Sequence, residues 1–155
     1  MTRTALVVVA STRAARGEAD DLTGPVITTW LTSRGFVTDE PVIVPDGEAV
    51  GQALIAGIAQ PVSLVITTGG TGVSPTDATP EMTLPLLDKR LLGIEEEFRR
   101  RGSAHVITAL LSRGVVGVAG RTLIVNLPGS SGGVRRSSSI TAGTSVPPAA
   151  LTARR

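Results

Sequence analysis

Two aspartates and three glycine-bearing segments are the residues of this chain that could do chemistry together. Asp46 stands in Pro45-Asp46-Gly47, and Asp77 stands in the stretch from Thr68 to Glu81, which opens with Thr68-Gly69-Gly70-Thr71-Gly72. A third segment, Asn126-Leu127-Pro128-Gly129-Ser130-Ser131-Gly132-Gly133, mixes glycine, proline and short polar side chains in the same way. Glycine lets a backbone come close to a ligand, and N–H groups left unpaired at the start of a following helix attract anions. Carboxylates beside such a cradle suit phosphoryl or nucleotidyl transfer, which needs positioning and charge neutralisation rather than a covalent nucleophile. The residue types therefore predict a phosphate-bearing ligand.

Taken singly, each feature also has a plainer reading. Gly69-Gly70-Thr71-Gly72 serves equally as a tight strand-to-helix turn, Asp46 as a helix N-cap before Glu48, and Asp77 as a turn residue before Thr79. Pro75 stands where a dinucleotide fingerprint would have its third glycine, and no Gly-Lys-Ser/Thr ending makes a P-loop. His105, the single histidine, has no partner motif, which predicts a structural or surface role. Glu95-Glu96-Glu97 and Arg99-Arg100-Arg101 pair at i,i+4 spacing, the pattern of a solvated helix face. Arg113 suits phosphate recognition by its chemistry, although a lone arginine is more often on the surface.

Ligands of an open α/β sheet bind at the carboxyl ends of its strands, so strands must end where these segments begin. Ala5 to Ala10 is an unbroken apolar run of the kind buried on both faces of a parallel sheet. Pro25 opens a helix through Trp30 and Leu31 that stops at Gly35, and residues 36–44 form a second extended segment. Val50, Leu54, Ile55 and Ile58 recur at helical spacing within residues 48–59, and residues 63–68 are a third strand feeding the glycine loop. Thr79 is the expected N-cap of a helix beginning at Pro80 and Glu81 and carrying Met82, Leu84, Leu86 and Leu87. A helix over residues 93–101 and two strands, 115–119 and 122–125, joined at Gly120 complete the pattern. Strands alternating with helices predict an α/β fold, a three-layer sandwich with a mostly parallel central sheet and helices on both faces.

The 155 residues are 41% hydrophobic, enough for one core. With no cysteine, disulfides and thiolate chemistry are excluded and an oxidising compartment has no support, so a cytoplasmic location is expected. The apolar run ending at Ala10 is too short for a membrane span and lacks a signal-peptide pattern. The net charge of +2 comes from the end of the chain: residues 1–133 hold 11 Lys+Arg against 13 Asp+Glu, and residues 134–155 hold 4 Arg and no acid. A slightly acidic globular part with 2% aromatics speaks against a nucleic-acid partner.

The string Thr67-Thr68-Gly69-Gly70-Thr71-Gly72-Val73-Ser74-Pro75-Thr76-Asp77-Ala78-Thr79-Pro80-Glu81 closely resembles the signature of the MoaB/Mog molybdopterin-binding family. The resemblance extends through residues 17–25, Val44-Pro45-Asp46, Leu111-Ser112-Arg113-Gly114 and Asn126-Leu127-Pro128-Gly129-Ser130, covering about residues 5–133. It implies a homotrimer that transfers AMP from Mg-ATP to the terminal phosphate of molybdopterin and releases pyrophosphate. Asp46 and Asp77 match the family's two aspartates associated with catalysis and Mg²⁺. Gly69, Gly70, Thr71 and Gly72, with Thr68, Ser74 and Glu81 of the same string, match the loop that wraps the ligand. Asn126, Pro128, Gly129 and Ser130 match a second ligand loop, and Ser112 and Arg113 are further contacts on the same footing.

The resemblance stops abruptly. Family members usually continue past Val134 into an amphipathic helix, where this chain gives Arg135-Arg136-Ser137-Ser138-Ser139 and then Thr, Gly and Pro147-Pro148. Residues 134–155 are expected to be a divergent, disordered tail, arising either by true divergence or by a frame-shifted reading of the codons. Losing such a helix would forfeit apolar burial of roughly 1.5–3 kcal/mol per side chain and remove its N-terminal amides from the phosphate site. Two other functions compete with the enzyme: a protein of the same fold that binds molybdopterin without turning it over, and a scaffold that has lost the ligand.

Overall fold

A computed structural model of the chain describes residues 2–135 and 137. The apolar run near the start becomes β1 (Arg3–Ala10), with Val8 fully buried and Val7 1% exposed, as a strand covered on both faces requires. Beside it lies β4 (Leu64–Thr68), parallel, with Ala5 opposite Leu64 and Val9 opposite Thr68. Its other edge is taken by two short strands, β2 (Phe36–Thr38) and β3 (Val42–Val44), each parallel to a successive part of β1. The single extended segment expected over residues 36–44 is thus interrupted around Pro41, which has no N–H to give to a ladder.

On the far side of β4, β7 (Thr122–Leu127) is parallel to it, and β6 (Val116–Ala119) and the two-residue β5 (Lys89–Arg90) continue antiparallel. The seven strands form one sheet in the order β2-β1-β4-β7-β6-β5, with β3 also on β1. Val7, Val9, Ile66, Val125 and Leu127 face α2 (Gly24–Ser33) and α5 (Leu92–Ser103), meeting Ile27, Leu31, Ile94 and Phe98. Val8, Ala10, Val65 and Ile124 face the opposite way, toward Val50 and Leu54 of α3 (Glu48–Ile58) and Met82 of α4 (Thr79–Thr83). The result is the expected mixed α/β sandwich with helices on both faces.

Short elements escaped the sequence pattern. A one-turn helix α1 (Thr12–Ala15) follows β1, capped by Ser11 Oγ accepting from the Ala14 N–H at 3.2 Å. The helix expected to run through Leu87 ends at Thr83 and tightens into a 3-10 turn (Leu84–Leu86), because Pro85 lacks the N–H that would continue it. A second 3-10 turn (Ile107–Leu111) follows α5. Thr79 is the first residue of α4 rather than its cap. Among the described residues no helix is long and apolar enough to cross a membrane.

The chain does not leave the fold at residue 133. Residues 131–135 and 137 are helical, and Val134 is fully buried in the cluster that holds Val9, Leu31 and Leu127. The tail expected from residue 134 therefore begins as a packed helical turn, with its N–H groups beside the second loop. Its remainder, residues 136 and 138–155, lies outside the described residues.

Candidate functional site

The glycine loop leaves β4 under tight constraint. Gly69 has φ +91° and donates its N–H to Leu127 O at 3.1 Å, and a β-carbon added there would lie 2.3 Å from Ala10 O. Gly70 has φ +66°, and its absent β-carbon leaves room for Thr79 Oγ1 and Asp46 Oδ1, which would be 2.3 and 3.0 Å from it. Thr79 Oγ1 donates to Gly69 O at 2.9 Å, so α4 pins the loop from below. The second loop touches the first: a β-carbon at Gly129 would stand 3.2 Å from Gly69 Cα, and the fully buried Thr68 donates its hydroxyl to Pro128 O at 2.9 Å. Thr68 and Gly69 thus fasten the two loops together.

What the loops present is a double row of backbone donors. Among the described residues, the N–H groups of Gly70, Thr71 and Gly72 donate to no protein acceptor, and neither do those of residues 129–132. Ser130 caps the helical turn that follows, its Oγ accepting from Gly133 N at 3.1 Å and its carbonyl from Val134 N at 2.9 Å. Both rows border one cavity of about 350 Å³, lined from these loops by Gly70, Thr71, Gly72, Asn126, Pro128, Gly129 and Ser130. Such geometry is a ready anion site.

The aspartates flank the first loop. Asp77 lines the cavity, and its Oδ2 accepts from Ser74 N at 3.0 Å while Asp77 N donates to Ser74 O at 3.0 Å. Asp46, at the end of β3, is not a lining residue; its Oδ2 accepts from Thr12 N at 3.2 Å and Thr12 Oγ1 at 3.1 Å, and its Oδ1 lies against Gly70. Neither Asp46 Oδ1 nor Asp77 Oδ1 accepts a hydrogen bond among the described residues. No group of three or more His, Cys, Asp or Glu that could hold a metal occurs among them.

The remaining sequence candidates divide. Ser112 lines the cavity. Asn126 lines it too, but its side chain is a crosslink: the amide donates to Thr67 Oγ1 at 2.9 Å and Thr83 Oγ1 at 3.1 Å, and Oδ1 accepts from Val115 N at 3.1 Å. Ser74 sits on the exposed tip of the loop. Arg113 and Glu81 are outside the cavity lining and ion-paired to each other, and this pairing holds the Glu81 carboxyl below its ordinary value. The guanidinium of Arg113, read from its chemistry as a phosphate contact, is engaged by the glycine loop itself, donating to Gly72 O and Asp77 O at 2.7 Å each.

One wall of the cavity carried no chemical signature in the sequence. Phe98, Arg99 and Gly102 of α5, with Val106, Thr108, Ala109 and Leu111, face the glycine loop across the cavity. At its root is Glu95, expected on a solvated face but 1% exposed. It accepts from Arg90 at 2.8 and 2.9 Å and from Val116 N at 3.0 Å, and pairs with Arg99 at 3.5 Å. Glu97, by contrast, pairs on open surface with Arg101 at the expected i,i+4 spacing and with Arg100 at i,i+3. The spacing Leu91, Ile94, Glu95, Phe98 places Glu95 on the apolar stripe of α5 and is the signal that separates it from its neighbours.

Burial pushes the Glu95 carboxyl up, but the hydrogen bonds from Arg90 and Val116 and the charges of Arg90 and Arg99 outweigh it and hold the carboxyl below its ordinary 4.5. A lowered folded value means the ionised form contributes stability above 4.5, which is lost as the pH falls through the folded value. Urea unfolding is expected to give a level stability from neutral pH to about pH 5, then a decline. Glu95→Gln should be less stable by about 2 kcal/mol at neutral pH and decline less steeply in acid. An identical acid slope in the two proteins would refute this role for Glu95.

Comparison with known proteins bears on what such a cavity holds. A sequence model of the family described as "Probable molybdopterin binding domain" matches residues 6–146. The chain is 35% identical over 130 residues to the molybdenum cofactor biosynthesis bifunctional protein of Chlorobaculum tepidum, an alignment covering 83% of this chain and 41% of that protein. The chain thus spans about two-fifths of that relative's length. It is 37% identical over 128 residues to the molybdopterin adenylyltransferase of Escherichia coli, covering 79% of this chain and 65% of the relative. Among solved structures, the molybdopterin biosynthesis Mog protein of Mycobacterium ulcerans superposes with a TM-score of 0.89 at 50% identity, covering 97% of this chain and 95% of that one.

Proposed function

The chain belongs to the family described as "Probable molybdopterin binding domain", and from that premise we propose that it is a molybdopterin adenylyltransferase in molybdenum cofactor biosynthesis. A terminal phosphate oxygen of molybdopterin attacks the α-phosphorus of ATP, a new P–O bond forms, the bond between the α-phosphorus and its bridging oxygen breaks, and pyrophosphate leaves with that oxygen. The observation that carries this reading is the pair of touching glycine loops whose unpaired N–H groups border one cavity with Asp77 at its margin.

Each part of the site has a task in that reaction. The N–H groups of residues 70–72 and 129–132 hold phosphate oxygens, and the helical turn from Ser131 adds its dipole to the second row. Phe98, Val106 and Leu111 give the cavity an apolar wall on the side opposite the glycine loop. Asp46 and Asp77 are the catalytic residues and would also hold Mg²⁺: each keeps one carboxylate oxygen without a protein partner among the described residues, and this ion is commonly bound by one or two carboxylates with phosphate oxygens completing the set. When bound, Mg²⁺ supplies charge neutralisation at the phosphates. The test is pyrophosphate release by the purified protein with Mg-ATP, measured with and without molybdopterin. Release only when both are present fits the enzyme; molybdopterin binding without release would instead make the chain a binding protein of the same fold.

A self-associated form, with a homotrimer as the family expectation, is part of the same proposal, as is a cytoplasmic location. Val106, Ile107, Leu110 and Leu111 are 43%, 70%, 53% and 52% exposed within six residues of chain, an apolar surface that a second copy would cover. Sedimentation equilibrium is expected to give a multiple of the chain mass, and a monomer at micromolar concentration would overturn it.

A further inference from the structure

The exposed tip of the glycine loop, residues 73–76, is tied mainly to itself. Ser74 N bonds Asp77 Oδ2, Asp77 N bonds Ser74 O, and the Ser74 and Thr76 hydroxyls are 3.3 Å apart. None of these contacts fixes the tip relative to the sheet. Among the described residues, one side chain does. Arg113 donates from Nε to Gly72 O and from Nη2 to Asp77 O, the carbonyls at the two ends of the tip, and from Nη1 to Glu81 in α4. Its backbone N–H donates to Thr71 O at 2.8 Å.

We infer that Arg113 is a positioning residue for Asp77, clasping both ends of the tip and thereby setting where the Asp77 carboxylate stands against the cavity. Three acceptors in three directions call for the planar fork of arginine, which a single lysine ammonium cannot reproduce. The clasp is itself braced. Arg99 Nη1 donates to Ser112 O at 3.1 Å and to Gly114 O at 3.3 Å, the carbonyls on either side of Arg113, and Glu95 holds Arg99 in turn. A line of contacts therefore runs from the buried Glu95 in α5 through Arg99 and the backbone of residues 112–114 to Arg113, and ends on the loop that carries Asp77.

As a statement about catalysis this rests on the adenylyltransferase reading, so the test has two arms. In the first, hydrogen exchange is followed by NMR in wild type, Arg113→Lys and Arg113→Ala, with thermal melts to confirm folding. The Ser74 and Asp77 amides are expected to exchange at least about tenfold faster in Arg113→Ala and at an intermediate rate in Arg113→Lys, with the β4 amides unchanged. Unchanged exchange at Ser74 and Asp77 would overturn the inference, whatever the enzyme does. In the second arm, Arg113→Ala is expected to lower kcat for pyrophosphate release by roughly 30–100-fold, with molybdopterin affinity within about threefold of wild type and part of the rate restored by added guanidinium ion. Weakened molybdopterin binding with kcat retained would make Arg113 a ligand contact and overturn it. Absence of release from the wild type would sink the adenylyltransferase reading alone and leave the exchange arm to decide whether Arg113 sets the tip.

Discussion

Asp77→Asn is expected to lower the rate of molybdopterin-dependent pyrophosphate release by about 10²–10³-fold while the protein folds as before. The asparagine amide has the same shape as the carboxylate and can still accept the Ser74 N–H through its oxygen, so the turn that Asp77 closes is kept. The carbonyl of residue 77 that Arg113 grips is backbone and is unaffected. What disappears is the negative charge at the cavity margin beside Gly72. A group acting on transition-state charge typically contributes about 3–4 kcal/mol, whereas an isosteric change at a partly exposed turn alters stability by under about 1 kcal/mol. Thermal melting and molybdopterin affinity should therefore stay near wild type as kcat falls. Activity within threefold of wild type would remove Asp77 from the catalytic role.

The largest effect on stability is expected at Gly69→Ala. A non-glycine residue at φ +91° is strained by about 1–2 kcal/mol, and here the added β-carbon would also lie 2.3 Å from Ala10 O. That oxygen cannot yield cheaply, because Ala10 is paired with Val44 inside the sheet. Nor can the loop swing away, since Gly69 N is bonded to Leu127 O and Gly69 Cα is packed against Gly129. The total loss is about 3 kcal/mol or more, a fall in Tm of roughly 10 °C for a chain of this size. Gly120→Ala is the control: φ is +57° but nothing lies within 4 Å of the added carbon, so only the conformational cost of about 1 kcal/mol applies. Equal melting temperatures for the two variants would show that the contact with the strand backbone adds no cost.

The fold was most legible where local chemistry and tertiary placement agree. The Ala5 to Ala10 run reads as a strand buried on both faces, and Gly35 and Gly120, both at positive φ, close the elements before them. Legibility failed where an element is too short to carry a period. The two-residue β5 is a strand only because β6 lies beside it, and α1 is a single turn. It failed again where charge pattern and apolar pattern overlap: the acidic run of α5 looks uniformly solvated, yet Glu95 falls on the stripe of Leu91, Ile94 and Phe98 and is buried beneath Arg90 and Arg99, which reach it from more open positions.

The site shows the same division. Both glycine loops could be picked out because only glycine tolerates such backbone approach, and they do meet at one cavity. The opposing wall was invisible because Phe98, Val106 and Leu111 are ordinary apolar residues whose neighbours are set by folding. Arg113 stands out in the sequence for its chemistry, but its partners, Gly72, Asp77 and Glu81, lie more than thirty residues away in the chain. Val134 reads as the start of a tail because the sequence beyond it is polar and rich in arginine, while its own burial depends on the sheet beneath it.

The most direct test of adenylyl transfer is the fate of the α-phosphate. With ATP labelled at that position, incubation of the protein with Mg²⁺ and molybdopterin should place the label on a pterin product that carries AMP, in a one-to-one ratio with pyrophosphate released. Label recovered only in free AMP or in unreacted ATP, with molybdopterin bound and unchanged, would contradict the proposed reaction.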